Sequence, residues 1–159
     1  MIHPQYWSLY SIYKRTVHGM ERDAVTYVKY LKPQGKTVLD VGAANFDTAK
    51  EFLKHGAKKV ICVERDFYPI PEKLKGLVEV YNEYFDPDKH LALPHDLEKY
   101  DIEGYEIKLP PYFALMKRAI VEVHSEYLVD LFTKRGWRLL KRNDVLGERV
   151  VQCLMVNDK

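Results

Sequence analysis

The stretch TVLDVGAANFDTA, from Thr37 to Ala49, permits few folds. Thr37, Val38, Leu39 and Val41 make a short β-branched and apolar run suited to a strand buried on both faces. Asp47 to His55 then reads as a helix with Ala49, Phe52 and Leu53 along one side, and Gly56 stops it as a helix C-cap would. A buried strand that turns at once into a helix is the opening unit of an α/β sheet.

The same alternation continues down the chain. KKVICVE, LVEVYN, LEKYDI and AIVEVH read as further strands, and WRLLKRN and RVVQCLMV as two more joined by a turn through Gly147. SEYLVDLFTKRG is expected as a helix capped by Ser125 and closed by Gly136, and FALMKRA as a short helix before it. Ahead of the first strand, Tyr6, Trp7, Leu9, Tyr10, Tyr13 and Val17 recur at helical spacing, and ERDAVTYVKYLK runs helically to Pro33. The expected architecture is α/β: one Rossmann-like domain over residues 36–159, with a seven-stranded, mostly parallel sheet, an antiparallel last strand and helices on both faces. Residues 1–35 form a helical segment packed on the sheet or over the site.

Composition narrows the function classes. The 159 residues suffice for one core and not two. Net charge is +2, with Lys and Arg scattered among Asp and Glu, so the concentrated basic surface of a nucleic-acid binder is missing. The densest basic group, Lys134, Arg135, Arg138, Lys141 and Arg142, reads as a solvated face. Cys62 and Cys153 lie inside apolar runs and read as small buried hydrophobes, so neither a disulfide nor a metal site is expected. The amino terminus lacks the pattern of a signal peptide and no apolar run could cross a bilayer, which makes a reducing cytoplasm the expected location.

In an open sheet of this kind the ligand lies beyond the carboxyl ends of the strands, near the point where strand order reverses. That gathers Asp40 to Asn45, Glu64 to Phe67, Asn82 and Asp101 around one crevice. The first loop has Gly42 alone, so it is neither a dinucleotide fingerprint nor a phosphate-binding P-loop. Asp40 would repel a pyrophosphate and favour a cationic ligand, such as the ammonium and sulfonium of S-adenosylmethionine (SAM). Glu64, at the end of the second strand, can accept both hydrogens of a ribose diol. Gly42, Ala43, Ala44, Asn45, Arg65 and Asn82 are expected along the cofactor with Asp40 and Glu64. The plainer alternative is that Asp40 caps the helix and Glu64 is an ordinary strand-end charge.

VLDVGAANFDTA and KKVICVERD resemble the first two motifs of class I SAM-dependent methyltransferases. KYDIEGYE (Lys99 to Glu106) and VEVH (Val121 to His124) are similar to the FkbM-type branch, which carries K-[IV]-D-[VI]-E-G-[AY]-E and then a strand ending in E-x-H. The resemblance spans residues 37 to 145 and implies SAM as cofactor, with Asp101, Glu103 and Glu106 in the signature. On chemistry alone, Asp101, Glu103 and His124 stand at strand ends as candidate acids and bases. They could equally form a structured turn around Gly104 and a hydrogen-bonded strand-end histidine. Ala44 and Phe46 stand where the branch has asparagine and glycine. Phe46 is expected to pack inward on Ala49, Phe52 and Leu53 and leave the crevice open, with Asp47 or Asn45 capping the helix. LPPYF has Leu109 where amine methyltransferases place a hydrogen-bond acceptor, so the run reads as a rigid connection. The expected function is O-methyl transfer to a small-molecule acceptor, without membrane or nucleic-acid partners. A catalytically silent Rossmann-like binding protein and a nucleic-acid methyltransferase are the alternatives.

Overall fold

The computed structural model describes residues 17–144 and 151–159. The aromatic stripe from Tyr6 to Tyr13 and the turn at Gly147 lie outside the described residues. Seven strands form one sheet: β1 (Thr37–Val41), β2 (Lys59–Val63), β3 (Val78–Tyr81), β4 (Leu97–Tyr100), β5 (Arg118–Val123), β6 (Arg138–Asp144) and β7 (Val151–Val156). Their order is β3-β2-β1-β4-β5-β7-β6. β1 to β5 pair in parallel, and β7 runs antiparallel between β5 and β6. The order reverses between β1 and β4, which is where a ligand crevice belongs.

Period-two alternation divides the core between the two faces. Val38, Val60, Cys62, Leu97 and Ile120 point to one side, where α1 (Val17–Leu31) and α2 (Asp47–Lys54) cover them. Ala24, Tyr27, Val28 and Leu31 form the buried stripe of α1 at i, i+3, i+4 and i+7. Leu39, Val41, Ile61, Val63, Val121 and Val123 point to the other side, against α4 (Glu126–Lys134) through Leu128, Val129 and Phe132. The sequence reading began the first described helix at Glu21. It begins at Val17 and carries Gly19 inside it, a cost of about 1 kcal/mol that burial of one large apolar side chain exceeds. Ser125 caps α4 by accepting from Leu128 N.

The crossovers from β2 to β5 are short. A 3₁₀ turn (Glu72–Leu74) links β2 to β3, and a single helical turn, α3 (Pro87–His90), links β3 to β4. FALMKRA is not helical. The β4–β5 connection is instead two 3₁₀ turns, Tyr105–Lys108 and Pro110–Tyr112, followed by a turn into β5. Pro110 and Pro111 take the first positions of the second 3₁₀ turn, where their missing N–H groups cost nothing. Phe113 is held by Phe132 and Trp137, with ring centroids 4.7 and 4.9 Å away. Arg118 and Ala119 are drawn into the sheet by pairing with β4. Leu109 is wholly buried and anchors the connection to the core.

Candidate functional site

The β1–α2 loop leaves the sheet at the switch point and is bound to its surroundings on three sides. Gly42 has φ +76°, and a Cβ there would lie 1.9 Å from the carbonyl oxygen of Asp101, so only glycine lets β1 and β4 approach so closely. Ala44 N donates to Glu64 Oε2 at 2.8 Å, which pins the loop to the end of β2. The third attachment runs through Asp40. Its carboxylate is fully buried, accepts from Thr48 Oγ1 at 2.5 Å and pairs with Lys99 Nζ at 2.9 Å. Lys99 also donates to Gly42 O at 2.9 Å. Burial works against the charge of Lys99, but Asp40 and then Asp101 outweigh it and hold its pKa above the ordinary lysine range.

This geometry changes the role expected of Asp40. Its charge is taken up inside the protein, so it positions the loop and does not face a ligand's ammonium. Phe46 is the N-cap residue of α2, with φ 67° and no side-chain cap, while Asp47 pairs with Lys50 at 2.7 Å. Capping by Asp47 or Asn45 therefore does not occur. The Phe46 ring is 1% exposed and packs in the cluster of Ala43, Ala49 and Phe52, turned away from the crevice. Asn45 is exposed on the loop.

Across the crevice, Glu64 uses one oxygen on Ala44 N and the other on Asp66 N, at 2.9 Å. A carboxylate has about four acceptor sites, so both oxygens can still take hydroxyl donors. Asn82 donates to the carbonyls of Glu64 and Arg65 at 2.9 and 3.2 Å and ties β3 to the end of β2. Arg65 is exposed, with its guanidinium 6.0 Å from the ring centre of Tyr84.

The structure brings Asp101, Glu103 and His124 together at the ends of β4 and β5. His124 places Nδ1 3.0 Å from Glu106 Oε1 and Nε2 2.9 Å from Glu122 Oε1, with Glu103 Oε2 3.9 Å from Nε2. Both ring nitrogens face carboxylates, so both donate and the ring is an imidazolium. Burial opposes that charge, but the hydrogen bonds to Glu106 and Glu122 and the charges of Glu122 and Asp101 overcome it and raise the pKa to about 11. His124 is thus no base in this state, contrary to the sequence expectation. Glu122, itself buried, also accepts from Tyr27 OH at 2.7 Å and from Gln152 Nε2, linking α1 and β7 to the site.

Lys99, Glu122, Tyr27 and Gln152 were missed in the sequence reading. The available signal was charge at central strand positions: Lys99 in LEKY, and Glu122 in RAIVEV, two residues before His124, which directly follows β5.

No family model matches the chain, and no curated protein sequence matches it. Solved structures do. The chain is 15% identical to the ribosomal protein L11 methylase of Lactobacillus delbrueckii, covering 87% of this chain and 78% of that one with a TM-score of 0.63. It is 14% identical to the C-terminal domain of precorrin-6Y C5,15-methyltransferase of Rhodobacter capsulatus, covering 85% of each chain at a TM-score of 0.62. It is 15% identical to 1,6-didemethyltoxoflavin-N1-methyltransferase of Burkholderia thailandensis, solved with 1,6-didemethyltoxoflavin and S-adenosylhomocysteine bound, covering 98% and 89% at a TM-score of 0.59. The fold is the Rossmann-like methyltransferase fold. These three are named for a ribosomal protein, a precorrin and 1,6-didemethyltoxoflavin, so the fold carries no acceptor with it. Among the described residues, no helix is long and apolar enough to cross a membrane.

Proposed function

We propose that this chain is a small SAM-dependent methyltransferase of the FkbM type, acting on a hydroxyl oxygen of a small molecule. The observation that carries the reading is the clasp between Ala44 N and Glu64 Oε2 across the switch point, at 2.8 Å. It sets a glycine-dependent loop opposite a strand-end carboxylate that has acceptor capacity left for a ribose diol. The residues fit the cofactor: Phe46 is packed away from the crevice, and Gly42 and Ala43 leave only small groups along the loop. Glu64 would hold the ribose, Asn82 and Arg65 would border it, and the backbone of Gly42 to Asn45 would line the methionine end. The neighbour with S-adenosylhomocysteine supports the same cofactor here. When bound, SAM supplies a methyl group on a sulfonium, open to in-line attack.

The chain's own residues would bind and orient the acceptor. Asp101 stands between the loop and the acid cluster and would hold the acceptor hydroxyl. Glu103 is the more exposed acid and would take its proton. Glu103 has φ 50°, an uncommon backbone state of the kind retained at functional turns. The imidazolium of His124 would fix the carboxylates around it. Leu109, buried where an amine-binding acceptor would stand, favours oxygen over amine. Membrane attachment and nucleic acid have no part in this reading.

Calorimetric titration with SAM and S-adenosylhomocysteine tests it. Binding is expected, and Glu64→Ala should weaken it by about 1.5–3 kcal/mol, the range for a hydrogen bond to a charged group. A folded protein that takes up neither ligand at millimolar concentration would sink the proposal and favour a silent scaffold.

A further inference from the structure

The short crossovers leave a cavity of about 650 Å³ between α3 and the 3₁₀ turns of the β4–β5 connection. That volume lies in the range of small-molecule sites. Tyr84, Phe85, Tyr105 and Tyr112 line it, beside the Glu83–Lys89 ion pair. Its walls are fixed by the backbone. Tyr105 N donates to Ile102 O at 3.2 Å and Tyr112 N to Leu109 O at 2.8 Å, while Asp86 caps α3 by accepting from Asp88 N. The cavity adjoins the proposed site on two sides. Tyr105 follows Glu103 by two residues, across Gly104 at φ 95°. The Tyr84 ring centre lies 6.0 Å from the guanidinium of Arg65, at the border of the cofactor.

Two features select the ligand. The first is aromatic surface. Tyr84 is 70% exposed and Tyr105 39%, so large rings are left to solvent in a concave site, where aromatic side chains commonly seat a ligand. Such rings favour offset or edge-on contact with another ring, beyond the gain from burial alone. The second feature is the base. His124 is an imidazolium, so the acceptor's proton falls to a carboxylate, Glu103 as proposed. A carboxylate is a weak base. A phenolic hydroxyl, with a pKa of about 10, gives up its proton roughly five to six orders of magnitude more readily than an aliphatic alcohol, whose acidity is close to that of water at about 15.7. A carboxylate can therefore serve a phenol where it would serve an alcohol poorly.

We propose that this cavity seats the aromatic ring of the acceptor, and that the methyl group goes to a phenolic hydroxyl. Tyr105 and Tyr112 would hold the ring, and its hydroxyl would point past Gly104 to Glu103. In the transfer Glu103 takes the phenolic proton, the oxygen's electron pair forms the new C–O bond, and the pair of the broken C–S bond leaves with sulfur. The products are the aryl methyl ether and S-adenosylhomocysteine. The transfer rests on the methyl-transfer reading, whereas the binding of a flat aromatic ring does not.

The test is titration of 2-naphthol into the full chain, followed through the tyrosine ring signals by nuclear magnetic resonance. Decahydro-2-naphthol, which has the same skeleton and hydroxyl without the aromatic rings, is the comparison. 2-Naphthol should bind about 5–100-fold more tightly, as expected for ring contacts with two tyrosines. Tyr105→Leu and Tyr112→Leu should each weaken it by about 2–10-fold and leave S-adenosylhomocysteine affinity near the wild-type value. Tyr105 is exposed, so Tyr105→Leu carries the test if Tyr112→Leu does not fold. Equal binding of the two probes would overturn the proposal, as would undiminished 2-naphthol binding by Tyr105→Leu. Loss of S-adenosylhomocysteine affinity in the leucine variants would also overturn it, because the cavity would then belong to the cofactor. S-adenosylhomocysteine binding without 2-naphthol binding defeats the aromatic acceptor alone. Tyrosine-dependent 2-naphthol binding without S-adenosylhomocysteine binding defeats the methyl-transfer reading alone.

Discussion

Phe46 offers a measurement in which stability and ligand affinity should part. Its ring is 1% exposed and fills the space between α2 and the sheet, in one cluster with Ala43, Ala49 and Phe52. Truncating a buried phenylalanine to alanine costs about 3–5 kcal/mol. For a chain of this length each kcal/mol shifts Tm by about 2–4 °C, so Phe46→Ala should lower Tm by about 6–20 °C. The backbone adds a second term. Phe46 has φ 67°, a left-handed conformation that costs a side-chain-bearing residue about 1–2 kcal/mol and glycine almost nothing. Glycine gives back about 0.5–1 kcal/mol of this through its more flexible unfolded chain. The remaining difference of about 0.5–1 kcal/mol means Phe46→Gly should melt slightly above Phe46→Ala, by about 1–4 °C, although it removes one carbon more. Urea unfolding and thermal melts of the two variants check this order. Affinity for S-adenosylhomocysteine should stay near the wild-type value in whichever variant is folded, because the ring is turned from the crevice. A glycine variant less stable than the alanine one would refute the strain argument. A clear gain in affinity would show that the ring obstructs the cofactor.

Two further changes probe the same loop. Gly42→Ala drives a Cβ onto Asp101 O at a left-handed φ, so beyond the roughly 1–2 kcal/mol of backbone strain it must part β1 from β4; a Tm loss of at least several degrees and loss of S-adenosylhomocysteine binding are expected by melting and calorimetry. Lys99→Met leaves the Asp40 carboxylate buried without its cation, a loss of about 3–5 kcal/mol in chemical unfolding. Adding Asp40→Asn to Lys99→Met should restore part of that stability, and a double variant no better than the single one would argue against the pair.

The local units were legible in the sequence because their causes are local. The strand before Gly42, the helix after Phe46 and the serine cap of α4 follow from residues within a few positions of each other. Glu64 could be placed beside the first loop because its position is set by the end of its own strand. The partners of Asp40 could not. Asp40 stands beside Lys99 only because β1 and β4 pair in the register Asp40↔Lys99, and nothing in either segment states that register. The same holds for Glu122, whose partners come from α1, from β7 and from His124 just past the end of its own strand. FALMKRA failed for a different reason. Its composition favours a helix, but the sheet claims its end, so pairing with β4 overrides propensity.

The buried pair also bears on how a loop poor in glycine keeps its shape. Ala44 and Phe46 both have positive φ, at 44° and 67°, and each costs about 1–2 kcal/mol there. A glycine-rich loop would avoid that strain by composition. This loop is held by bonds instead: Thr48 to Asp40, Lys99 to Gly42 O, and Ala44 N to Glu64. Hydrogen bonds to charged groups contribute about 1.5–3 kcal/mol each, so three of them exceed the strain of two residues. A well-packed hydrophobic pair in place of Asp40 and Lys99 could give similar global stability, but it could not reach Gly42 O or Thr48. The charged pair thus does what packing alone cannot: it ties strand register to loop conformation, so that the crevice forms only when β1 and β4 are correctly paired.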